Sequence, residues 1–71
     1  MKASEAVMLS INQARKNQAD LVETGLVASR QAANRKVREG RWSVDDLITV
    51  AKWTGGKVLY QTPDGEQYEL K

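Results

Sequence analysis

The sequence predicts a mainly helical domain, four helices closed by a C-terminal β-hairpin, with residues 1–71 forming a single unit. Three observations lead there. Apolar residues recur at helical spacing, as in Val7, Ile11 and Ala14 and again in Ala33 and Val37. Capping residues and glycines punctuate these runs: Ser4, Asn17, Ser29 and Ser43 open them, and Gly25, Gly40 and Gly55 close them. Beyond Gly56, two runs of strand composition flank Thr62-Pro63-Asp64-Gly65, where proline suits the first central turn position and glycine the left-handed one.

The first helix is expected over residues 4–16, with Ser4 as its cap and Met8 beside the Val7–Ile11–Ala14 stripe. Asn17 then caps a second helix over 17–25. Asp20 in its first turn favours the positive end, Leu21 and Val22 begin its apolar side, and Leu26 continues it. Gly25 weakens or ends this helix, so residues 24–28 form a turn. The third helix runs over 29–39 from the Ser29 cap to the Gly40 stop. Ser43 caps the fourth, over 43–54, with Asp45 and Asp46 in its first turn. Trp42 and Leu47 are spaced as a hydrophobic staple, and Val44, Leu47, Ile48 and Ala51 form its inward face, with Val50 at the edge. In the hairpin over 57–70, a three-residue loop sets Tyr60 opposite Tyr68 and Val58 opposite Leu70, gathering these four on one face.

Composition narrows the chemistry. A chain this short buries only roughly 60% of its unfolded surface, so self-association is the expected supplement to a small core. It has no cysteine and no histidine. That removes disulfides, thiolate metal sites and the commonest general base, so no catalytic residue, metal site or cofactor is expected and the chain is read as not an enzyme. No apolar run approaches membrane-spanning length and no signal-peptide pattern is seen, which gives a cytoplasmic, nucleoid-associated expectation without a membrane partner or a small-molecule ligand.

The net charge of +2 is unevenly placed. Arg30, Arg35, Lys36, Arg38 and Arg41 share residues 30–41 with Glu39 alone among acids, whereas the preceding residues balance and the following ones are acidic. Clustered cations of this kind suit a polyanion. The alternative is a solvated helix face. Arginine can bond guanine in two places, and glutamine or asparagine adenine. The third helix therefore carries side chains suited to base edges and phosphates.

The run Ser29-Arg30-Gln31-Ala32-Ala33-Asn34-Arg35-Lys36-Val37, followed by Gly40-Arg41-Trp42-Ser43-Val44-Asp45-Asp46-Leu47, resembles the recognition helix and next helix of helix-turn-helix proteins of the lambda repressor and Cro type. The resemblance spans Gln18 to Gly55, roughly half the chain. One departure matters: Gly25 stands four residues before Ser29 instead of two, and Val22 replaces a small alanine, so the turn must be longer or differently shaped. The resemblance implies a four-helix lambda-repressor-like domain of a phage or prophage regulator. Ser29, Arg30, Gln31 and Asn34 would contact bases, and Gln18, Arg35, Lys36 and Arg41 phosphates. The protein would bind duplex DNA at a pseudo-palindromic operator as a homodimer, with the Val58, Tyr60, Tyr68 and Leu70 face as the candidate dimer contact. In Cro-type proteins a terminal strand makes that contact.

A second reading is a protein-interaction module, such as an antitoxin, an anti-repressor or an inhibitor of a host protein, that uses the hairpin's apolar face. A DNA-touching wing is disfavoured, because the hairpin tip carries Asp64 and Glu66 and no cation. Trp42 and Trp53 are expected in the core or at an interface, and Tyr60 and Tyr68 as a cross-strand pair.

Overall fold

A computed structural model describes residues 1–71 in full. Its elements are α1 (Ala3–Gln13), a 3₁₀ helix (Gln18–Thr24), α2 (Arg30–Glu39), α3 (Val44–Thr54), β1 (Val58–Gln61) and β2 (Gln67–Leu70). The chain is thus mainly helical, with four helical segments and one two-stranded antiparallel hairpin. The 3₁₀ helix lies against α2, α1 against α3, and β1 against the end of α3.

α1 ends three residues earlier than the sequence suggests. Arg15 adopts a left-handed φ of 60°. The Lys16 amide reaches back to the Ile11 carbonyl and the Arg15 amide to that of Asn12, each over 3.0 Å. This is a Schellman closure with arginine where glycine usually sits. Ser4 is not the cap of α1; that position is Lys2. Instead Ser4 lies inside the helix, donating its hydroxyl to the Val37 carbonyl at 2.7 Å and accepting the Trp42 indole N–H at 2.8 Å. One small side chain so ties α1 to the end of α2 and to the α2–α3 connection.

The second helical segment is wound as a 3₁₀ helix rather than an α-helix. The Thr24 hydroxyl takes the Leu21 carbonyl at 2.6 Å, competing for the acceptor that an α-turn would give to Gly25. The Gly25 amide bonds to Val22 instead, and Gly25 leaves at φ 82°. With three residues per turn, Gln18, Leu21 and Thr24 stack along one line. Leu21 is then fully buried while Val22, expected on the same apolar side, is 39% exposed.

Val7, Ile11, Leu21, Ala33 and Val50 form the buried core, wrapped by Met8, Leu26, Val27, Val37, Trp42, Leu47 and Trp53. Of the expected inward face of α3, Leu47 packs on the core and Ile48 and Ala51 are half-buried, but Val44 is 54% exposed and Val50, expected at the edge, is buried at 2%. Val44 is the first helical residue, so its side chain precedes the turn that faces α1. Ser43 and Asp46 close the start of α3 reciprocally, the serine hydroxyl accepting the Asp46 amide at 3.0 Å and the Asp46 carboxylate the Ser43 amide at 3.1 Å. The hairpin has the expected register, with Val58 opposite Leu70 and Tyr60 opposite Tyr68. Thr62 and Glu66 close its loop with a 2.8 Å backbone bond, and Gly65 takes φ 88°.

Candidate nucleic-acid interface

The start of α2 is set by Ser29, whose side chain accepts the Ala32 amide at 3.1 Å. This cap fixes the rotation of the helix. Ala33, on the opposite side from solvent, is completely buried, and its lack of bulk lets α2 settle onto the 3₁₀ helix and α1. The residues that flank Ala33 in sequence then face outward: Arg30, Gln31, Asn34 and Arg35 are all exposed.

Where the first turn of α2 meets the first turn of the 3₁₀ helix, a shallow polar hollow opens. Asn17, Gln18, Ala19, Arg30, Gln31 and Asn34 line it. Four residues singled out from sequence are therefore brought together here: Gln18 from one helix, and Arg30, Gln31 and Asn34 from the other. Asn17 belongs to the same hollow, although its sequence signal pointed to a cap alone. Within that start, the Asp20 carboxylate accepts the Asn17 amide at 2.8 Å. Ser29 stands beside the hollow as an exposed cap and does not line it.

No carboxylate lies within ion-pair distance of Arg30, Arg38 or Arg41, so their guanidinium charges are uncompensated. Arg35 has only a loose contact with Glu39, at 4.0 Å, with its side chain 71% exposed. Such a pair is worth little in water. Arg35 and Arg41 lie outside the hollow, toward the far end of α2 and beyond it.

Lys36 differs from what its place in the basic run suggests. Its ammonium is 2.9 Å from the Asp46 carboxylate and donates to the Arg41 carbonyl at 3.1 Å. It also lies over the Trp42 ring, 4.9 Å from the centroid. Only 19% of the side chain is exposed. Lys36 thus braces α2 against α3, and its charge is neutralised within the chain. The hydrogen bond from Lys36, together with the Ser43 amide, holds the Asp46 carboxyl below its ordinary range.

The expected hairpin face is present, with Val58 and Leu70 half-buried and Tyr60 and Tyr68 exposed. The Tyr68 hydroxyl donates to Glu66 at 2.6 Å, which raises its pKa by stabilising the protonated form. Of the tryptophans, Trp42 packs on the core as expected. Trp53 also packs there, with Lys16 over its ring and its N–H on Glu23 at 3.2 Å.

Comparison of the chain with protein-family models, with curated proteins and with solved structures gives no match. No helix is long and apolar enough to cross a membrane.

Proposed function

We propose that this chain is a sequence-specific, duplex-DNA-binding regulator of the lambda repressor and Cro type, acting as a dimer on a pseudo-palindromic operator. In this reading the 3₁₀ helix and α2 are the two helices of a helix-turn-helix, and α2 enters the major groove. The observation that carries it is the convergence of Gln18, Arg30, Gln31 and Asn34 on one hollow, with the Arg30 guanidinium free of any carboxylate partner. Gln18 holds a phosphate at the groove edge while Arg30, Gln31 and Asn34 reach base edges. Arg35 and Arg41 meet phosphates further along. Lys36 is left out of the phosphate set, because Asp46 already holds it. Binding regulates by occluding a promoter, without chemistry.

A titration of labelled random duplex DNA at two salt concentrations tests the electrostatic half of this reading. Affinity should fall steeply with salt, with a log–log slope near −0.9 for each phosphate neutralised. Absence of binding at low salt would remove DNA as the partner and favour a protein-interaction module.

A further inference from the structure

We propose that two copies of this chain pair through the outer edge of β1, antiparallel, with Leu59 on the two-fold axis. The proposal supplies the dimer contact for the regulator described above and rests on that reading for its biological use. It assigns the contact to the first strand of the hairpin, not to the terminal one.

A two-stranded hairpin is marginal alone in water, and both of its edges here are open. The bonded Thr62–Glu66 pair sets the alternation of the ladder, so Tyr60 and Val58 turn their backbone groups toward β2. Lys57, Leu59 and Gln61 turn theirs outward, where they make no hydrogen bond to another turn or loop. An antiparallel pairing centred on Leu59 engages all three: Leu59 exchanges bonds with its own copy, and Lys57 with Gln61 of the copy.

Charge separates the two edges. β1 contains no acidic residue, and this register brings no like charges together. β2 and its flank carry Glu66 and Glu69, so pairing through that edge would crowd four carboxylates along one seam. Shape points the same way. An apolar groove runs between α1, α3 and β1, with Val7, Val50 and Ala51 on the helices and Lys57, Val58 and Leu59 at the start of the strand. Leu59 is 51% exposed at this groove. A second Leu59 on the axis would cover it.

The chain has no cysteine, so single cysteines report the pairing directly. In the proposed register the two Leu59 Cα atoms are about 5.5 Å apart, within disulfide reach. The two Glu69 positions are three strand spacings apart, roughly 14 Å, and beyond it. Under mild oxidation without DNA, Leu59→Cys should form a disulfide-linked dimer at least roughly tenfold faster than Glu69→Cys. Equal rates, a faster Glu69→Cys, or no crosslinking of either would overturn the proposal. A second measurement guards against a misfolded variant. In sedimentation, Leu59→Lys should shift the protein to monomer while Gln67→Lys, on the outer edge of β2, leaves it dimeric. Monomeric wild type at every concentration would also overturn it. Neither experiment contains DNA, so loss of the dimer contact and loss of the DNA-binding reading give separate signatures.

Discussion

The Lys36 ammonium lies 2.9 Å from the Asp46 carboxylate, and that carboxylate is at the same time the reciprocal cap of α3 through the Ser43 amide. One acidic side chain therefore sets both the start of α3 and its position against α2. Asp46→Ala removes a cap and an ion pair together and should cost about 1–2 kcal/mol in urea denaturation. A loss below about 0.3 kcal/mol would show that neither contact contributes.

The same pair gives a pH dependence of defined sign. The folded Asp46 carboxyl titrates below its ordinary value, so its contribution is full above the unfolded pKa of about 4. It is lost as pH falls through the lower, folded pKa. Between neutral pH and about pH 5 it should contribute no slope to stability. Below about pH 4 the wild type should lose stability faster than Asp46→Asn, as read by melting temperature against pH.

Lys36→Met separates bracing from phosphate contact. If Lys36 braces α2, the variant loses stability while the salt dependence of DNA binding is unchanged. Arg41→Ala should behave oppositely, with stability kept, affinity reduced for all sequences alike and the salt slope lowered by roughly 1.

Ser4 links three elements through one hydroxyl. Ser4→Ala leaves the Trp42 indole N–H without its acceptor and should cost about 1–3 kcal/mol, with a shift in tryptophan emission. A neutral Ser4→Ala would mean that water replaces the hydroxyl without penalty.

Arg15 holds a left-handed backbone where glycine is at home. Arg15→Gly should raise the melting temperature by several degrees, since relief of the left-handed conformation is worth about 1 kcal/mol. An unchanged or lower melting temperature would show that the arginine side chain offsets its own backbone strain.

Much of this fold is legible in the sequence because its signals are local. Ser29, Ser43, Gly40 and Gly55 bound α2 and α3 within a residue of the expected limits, and Pro63 with Gly65 fixes the hairpin register. What was hidden depends on competition between distant or equal partners. Ser4 has a cap's chemistry, but its hydroxyl finds Val37 and Trp42, far along the chain. Thr24 gives no sign in the sequence that it will claim the Leu21 carbonyl and tighten the second helix, which is why Val22 faces solvent. Lys36 is one cation among five in a short run. Only the fold, by bringing the start of α3 to Lys36, reveals that Asp46 neutralises it. Within the candidate site, the α2 side chains followed from helical spacing, whereas Asn17 joined them through the approach of a second helix.

The most direct test of the central reading is selection from a random duplex DNA library with wild-type protein and with Arg30→Ala. Wild type should enrich a two-fold symmetric motif. Arg30→Ala should bind that motif about 1–3 kcal/mol more weakly and relax the preference at one base pair of each half-site. A wild-type pool that shares no motif, or an Arg30→Ala variant that selects the same motif with equal strength, would contradict the assignment of α2 as the helix that reads DNA.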